Sequence, residues 1–349
     1  MSTPLVAPFP WFGGKRRAAS LVWQALGDVT NYVEPFFGSG AVLLARPDGA
    51  GKVETINDLD AMLANFWRAS QADPDAVARW ADWPVNEVDL EARHAWLVNR
   101  RERLRWSMAD PDFFDAKIAG WWLWGACAWI GSGWCAGKGP WQSNGVEVVD
   151  SRQLPHVGNA GRGINRRLPH VGDAGRGINR RLPHVGDAGR GINRKLPHVG
   201  DAGRGEFIRG WIRELADRMR DVRVACGDWS RVLGSSVTTR HGLTGVFLDP
   251  PYDDGAVDYA AGGRVSADVR EWALAHGDDP KLRIVLCGYE GEHAMPDSWR
   301  TVPWKAAGGY GGQRRVDGTV NANSARERLW LSPHCLPMDD QSRLPLEAA

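Results

Sequence analysis

Apolar positions along the chain switch between a helical and an alternating period, and the switches mark out the elements. Ala18, Leu21, Val22, Ala25 and Leu26 share one face of a helix over 16–27. Asn31-Tyr32-Val33 then reads as a short strand, Phe36 to Gly40 as a turn, and Ala41 to Ala45 as the opening of a second helix. Val53 to Asn57 is the next strand, and Leu59, Met62, Leu63, Phe66 and Trp67 supply another amphipathic helix. The rhythm returns after residue 205. Phe207, Trp211, Leu215 and Met219 mark a helix, and strands follow at 222–226 and 245–248. A helix around 267–276 and strands at 282–286 and 327–331 complete the set. Strands alternating with helices predict an α/β fold with a parallel, doubly wound sheet.

Residues 75–150 lose this rhythm and mix Trp, Arg and Gly, as a mostly helical insertion would. The expected organisation is therefore a discontinuous catalytic domain over 1–72 and 206–335, an insertion over 73–205, and a tail over 336–349. Ile118 to Ala136 carries no charge over a length that approaches a bilayer span. Gly131-Ser132-Gly133 interrupts it, however, and the motifs described below lie on both sides. A buried helix followed by a glycine loop is the better reading, with no membrane partner.

A tandem repeat of fourteen residues closes the insertion. LPHVGNAGRGINRR begins at Leu154, near-copies begin at Leu168 and Leu182, and a truncated copy begins at Leu196. Residues 154–205 carry ten Lys or Arg and three Asp, a local net of +7, so the rest of the chain sits at about −6 within an overall +1. Binding to a polyanion must then come from local clustering. The rest of the composition, 43% hydrophobic and 24% charged over 349 residues, is that of an ordinary globular protein. Cys127, Cys135, Cys226, Cys287 and Cys335 form no CxxC pair, and no secretory leader is evident, so a cytoplasmic location is expected.

The strongest chemical signal is Asp249-Pro250-Pro251-Tyr252, directly after an apolar strand. An amino nitrogen on an aromatic ring is a poor nucleophile because its lone pair is delocalised into the ring. A carboxylate and a rigid backbone carbonyl that accept its two N–H bonds would localise that pair, and Asp249 and Pro250 fit those roles. Tyr252 offers a face on which an extruded base can stack. The structural alternative is an Asp-Pro turn after a core strand. Glu34-Pro35-Phe36-Phe37-Gly38-Ser39-Gly40 lies between a strand and a helix, where glycines let backbone approach a ligand; an ordinary tight turn would look similar. Asp58, at the end of the second strand, is placed either for ribose hydroxyls or as a helix cap. Pro10-Trp11-Phe12-Gly13-Gly14-Lys15 precedes the first helix, where amides and a lysine can hold a carboxylate.

In this order the four stretches resemble the DNA adenine methylase (Dam) family, the D12 class of adenine-N6 methyltransferases. Pro8 to Lys15 is similar to its N-terminal cofactor motif, Val33 to Gly40 to its glycine motif, and Ile56 to Leu63 to its acidic motif. Cys226 to Leu233 and Leu248 to Tyr252 are similar to the penultimate and catalytic motifs. The resemblance implies a Rossmann-like sheet that binds S-adenosylmethionine, with a target-recognition region inserted. It implies cofactor contacts by Trp11, Lys15, Asp58 and Asp249, with Gly38 and Gly40 shaping the loop. Catalysis falls to Asp249, Pro250, Pro251 and Tyr252, without a metal. It implies double-stranded DNA as substrate, a monomer or weak dimer, and any restriction endonuclease as a separate chain. The sequence departs from the family between Trp124 and Trp141, where its recognition motifs would stand, and after Tyr252.

The repeats can be read as a basic arm, with Arg162, Arg176, Arg190 and Arg204 gripping phosphates and Asn165, Asn179 and Asn193 reaching base edges. They can equally be a solvated loop expanded by duplication. His156, His170, His184 and His198 recur without acidic or cysteine companions at ligand spacing, which disfavours a metal. Trp121, Trp122, Trp124 and Trp129 are expected in the core. Trp134 and Trp141, in glycine loops beside Lys138, are the better candidates to meet DNA. The rival functions are an N4-cytosine methyltransferase, which tends to carry serine where Asp249 stands, and a catalytically silent DNA-binding protein that uses the repeats.

Overall fold

The computed structural model describes residues 5–11, 15–47, 52–129, 134–135, 141–143, 148–150, 205–251, 262–304 and 326–338. The fourteen-residue repeats and Tyr252 lie outside them. The chain divides into two compact units, one formed by 1–6, 11–59 and 218–349 and the other by 7–10 and 60–217.

The first unit is built on a seven-stranded sheet. Its strands are β1 (Asn31–Glu34), β2 (Val53–Asp58), β5 (Val222–Cys226), β6 (Thr244–Leu248), β7 (Leu282–Tyr289), β8 (Arg300–Pro303) and β9 (Glu327–Leu331). The order across the sheet is β5-β2-β1-β6-β7-β9-β8. The first five run parallel, and β9 and β8 are antiparallel to their neighbours. All five residues of β6 are buried, as a central parallel strand requires. Its Val246 and Leu248 pack with Val269 and Ala273 of helix α8 (Gly262–His276). Gly245, which points to the opposite face, abuts Leu26 of helix α1 (Ala19–Leu26) and Val29. Each fully buried Val, Leu or Phe here contributes about 1.5–3 kcal/mol.

Three expectations change. The helix expected from Ala41 is only a 3-10 turn over Leu43–Ala45. Arg46 leaves the helical region (φ −58°, ψ 126°) because Pro47 follows it. Leu59 is not on the apolar face of the next helix; it is 55% exposed, and α2 (Ala61–Ala72) begins after Asp60, whose side chain accepts from the Met62 amide. Strand β8 was not foreseen. It has a proline, alternates half-buried and exposed positions, and occupies the sheet edge, where a missing N–H is tolerated.

The second unit contains α2, α3 (Pro74–Ala81), α4 (Glu87–Val98), α5 (Arg101–Ser107) and α6 (Ala116–Ala128). It also holds most of α7 (Gly205–Met219) and an unforeseen antiparallel hairpin, β3 (Trp141–Ser143) with β4 (Val148–Asp150). Asp73, Asn86 and Asp115 cap α3, α4 and α6 by accepting from first-turn amides. α6 is the apolar segment read from the sequence. Gly120 lets it close on α3, since a Cβ there would stand 2.7 Å from the Val77 carbonyl oxygen. Phe9 anchors this core by edge-on contacts with Phe66, Trp67 and Trp122 at centroid distances of 5.2, 6.1 and 5.0 Å. Trp122 and Trp124 are buried as expected. Trp134, expected to face DNA, is half-buried, donating to the Trp122 carbonyl at 3.0 Å and lying tilted against Trp129. Among the described residues no helix is long and apolar enough to cross a membrane.

Candidate active site

Chain order reverses at the centre of the sheet. From β1 the chain steps to β2 and then β5 on one side, whereas β6 lies on the other side of β1. Loops leaving the carboxyl ends of β1 and β6 therefore diverge and open a crevice, the usual ligand-binding edge of such sheets. The glycine segment follows β1 and Asp249 follows β6, so topology brings together motifs more than two hundred residues apart.

The glycine loop is held by specific bonds. The Phe37 amide donates to the Asn57 carbonyl at 3.0 Å, and the Gly38 amide donates to Asp58 Oδ2 at 3.0 Å. Asn57 Nδ2 donates to the carbonyls of Pro35 and Gly227, both at 3.0 Å, tying the loops after β1 and β5 to the end of β2. Gly38 has φ +53°, and a Cβ on it would stand 2.5 Å from Trp11 Nε1. Only glycine permits both that backbone and that indole. One oxygen of Asp58 thus fixes the loop, and the helix cap is Asp60.

Across the crevice, Lys15 Nζ lies 2.9 Å from Asp249 Oδ1 and 3.9 Å from Glu327 Oε2. Burial alone would lower the lysine pKa, but Asp249 and then Glu327 outweigh it, and the pKa is raised. Lys15 stays an ammonium. Glu34 at the end of β1 has its pKa raised well above the carboxylate range, chiefly by burial, and accepts from Tyr32 Oη at 2.8 Å. Trp11, Lys15, Glu34, Phe37, Gly38 and Asp249 line one cavity. Of the expected residues, Trp11, Lys15, Gly38 and Asp249 meet there, and Asp58 braces the loop from behind. Gly40 (φ +65°) packs under the Phe37 ring. Pro250 and Pro251 continue from Asp249, while Tyr252 lies outside the described residues. A larger cavity of about 700 Å³ belongs to the helical unit, between Trp80, Trp83, Arg93, Trp96 and Trp121. It contains none of the motif residues, so its size does not make it the reaction site.

The sequence motifs do not include Glu327 and assign no role to Glu34. An acid opening a strand that turns apolar from Leu329 to Leu331 was the available signal.

A mostly parallel seven-stranded sheet with an acid–lysine–glycine site at its reversal point is consistent with a methyltransferase-like fold. The model of the D12 class N6 adenine-specific DNA methyltransferase family matches residues 11–89, less than half of the chain, so this segment is similar to that family. That match supports S-adenosylmethionine-dependent methylation of adenine in DNA as the activity. A comparison with curated proteins gives no match.

Proposed function

We propose that the rim of β1 and β6 is where this enzyme transfers a methyl group to N6 of adenine in double-stranded DNA, with the sheet serving as a Rossmann-like, doubly wound scaffold. The observation that carries the assignment is the 2.9 Å pair of Lys15 and Asp249, set in one cavity with the glycine loop.

The residues present suit the methyl donor. Charged Asp249 and Glu327 outnumber the single ammonium around Lys15, which favours a cationic ligand. The Gly38 turn, pinned by Asp58, exposes backbone beside the Trp11 ring, where a flat or extended ligand can lie close. Trp11, Lys15, Gly38, Gly40, Asp58 and Asp249 are the residues proposed to hold it. S-adenosylmethionine supplies an activated methyl group on sulfur, so no covalent enzyme intermediate and no metal is needed.

The protein's own task is to prepare the amine. Asp249 accepts one N–H of the adenine amino group and the Pro250 carbonyl accepts the other. Their pull localises the nitrogen lone pair and aims it at the methyl carbon. The pyrrolidine rings of Pro250 and Pro251 limit backbone motion, so the two acceptors keep their spacing. Tyr252 is proposed to stack on the extruded base, and the region 73–205, with its basic repeats, to grip the duplex.

The test is an Asp249→Asn variant. Tritiated methyl incorporation into unmethylated DNA is expected to fall about 10²–10³-fold, as for the loss of one oriented polar group in a site of this kind. Binding of S-adenosylmethionine within a fewfold of wild type would show that the site is intact. Incorporation at the wild-type rate would refute the assignment.

A further inference from the structure

We infer that Glu327, at the start of β9, is a positioning residue for methyl transfer, holding Lys15 between two carboxylates so that the ammonium does not wholly neutralise Asp249, which stays a strong acceptor for the amine. This rests on the assignment of Asp249 made above.

The Lys15 ammonium lies within reach of two carboxylates. The side chains of Asp249, Lys15 and Glu327 are 19, 6 and 7% exposed, with Nζ 2.9 Å from one carboxylate and 3.9 Å from the other. Glu327 is well fixed. It pairs with Tyr289 of β7, and its carbonyl accepts from the Trp304 amide at 3.2 Å. The Trp304 ring in turn faces Lys15 Nζ at 5.7 Å. Aromatic face and carboxylate together keep the ammonium from moving wholly onto Asp249.

The electrostatic consequence is specific. In an isolated buried pair, an ammonium would largely neutralise Asp249 and leave it a weak acceptor. A second carboxylate on the same ammonium shares that neutralisation, so the trio carries a net charge of about −1. The other titratable groups facing it are Glu34 of β1 and Cys287 of β7, with Asp58 of β2 close to Glu34. Burial pushes the Glu34 carboxyl and the Cys287 thiol toward their neutral forms. Glu327 is thus the charge left to balance Lys15 against Asp249.

The experiment compares wild type, Glu327→Gln and Glu327→Asp as full-length protein, with S-adenosylmethionine and duplex DNA. It measures kcat, both KM values, the pH profile of kcat and the melting temperature. For Glu327→Gln, kcat is expected to fall about tenfold with KM values within about twofold, because the change acts on the reacting amine and not on binding. Loss of a neighbouring anion makes the remaining carboxylate easier to ionise, so the acid limb of kcat should move to lower pH. Glu327→Asp keeps the charge and should recover part of kcat with the limb near its wild-type position. A kcat and limb unchanged in Glu327→Gln would overturn the inference, as would a lower melting temperature as its sole effect. If Glu327→Gln does not fold, Glu327→Asp decides: an acid limb shifted as far as kcat falls would contradict a role for the charge. Should Asp249→Asn itself remain active, the site assignment fails; should Asp249→Asn be inactive while Glu327→Gln turns over normally, only the role of Glu327 fails.

Discussion

Lys15 of the sheet unit and Arg93 of the helical unit are both buried cations, 5 and 7% exposed, and their surroundings differ in kind. Lys15 sits among carboxylates that more than offset its burial, so its pKa is raised. Arg93 sits among indoles, its guanidinium 4.3 Å from the ring centroid of Trp124, 4.8 Å from Trp121 and 5.3 Å from Trp83. Burial lowers its pKa and the nearby Asp89 only partly opposes this. Its Nη1 has no hydrogen-bond partner among the described residues. Guanidinium is weakly hydrated and flat, and tolerates that setting as a packing element, whereas an ammonium needs anions. The difference separates a charge placed for chemistry from a charge used as filler, and it explains why the larger cavity is not the reactive one.

The same replacement in both places tests that contrast. Lys15→Met leaves Asp249 and Glu327 buried without their counter-ion and should destabilise the fold by about 3–5 kcal/mol. Its folded fraction should lose methyl transfer about 10²-fold or more. Arg93→Met keeps an unbranched chain between the rings, and its stability should change by no more than about 1 kcal/mol in chemical denaturation. Its kcat at saturating DNA should stay at the wild-type level. Equal losses of kcat in both variants would erase the distinction.

A smaller effect sharpens the account of the crevice. The Glu34 pKa is raised in the folded protein by burial, so the folded state holds a proton that the unfolded chain releases. Its contribution is fully present below the ordinary carboxylate pKa and declines as pH rises toward the folded value. Glu34→Gln removes that decline while keeping an oxygen to accept from Tyr32 Oη. Its melting temperature relative to wild type should therefore increase from pH 4 to pH 8. A constant difference across that range would mean that Glu34 is ionised in the folded state.

Much of this was legible in local sequence. Strand β6 announced itself by an apolar run ending in Asp249, and α6 by its lack of charge and its Gly120. Local signals also placed the glycine loop after a strand. What sequence could not show was register and edge. Glu327 reaches Lys15 only because β9 pairs antiparallel with β7, a long-range choice that no neighbour of Glu327 encodes. Strand β8 hid because its two exposed positions, Thr301 and Pro303, dilute its pattern, which an edge strand can afford. Pro47 could have warned that the helix after Gly40 would stop. The aromatic basin was misread for a related reason: Trp121 was expected in the core, but it is half-buried and lines the cavity.

The most direct test of the central claim is nucleoside mass spectrometry of DNA from a methylation-deficient host that expresses this chain, alongside the same host expressing Asp249→Asn. N6-methyladenine should appear with the first protein and drop to background with the second. N4-methylcytosine in place of N6-methyladenine, or equal N6-methyladenine in both hosts, would contradict the account.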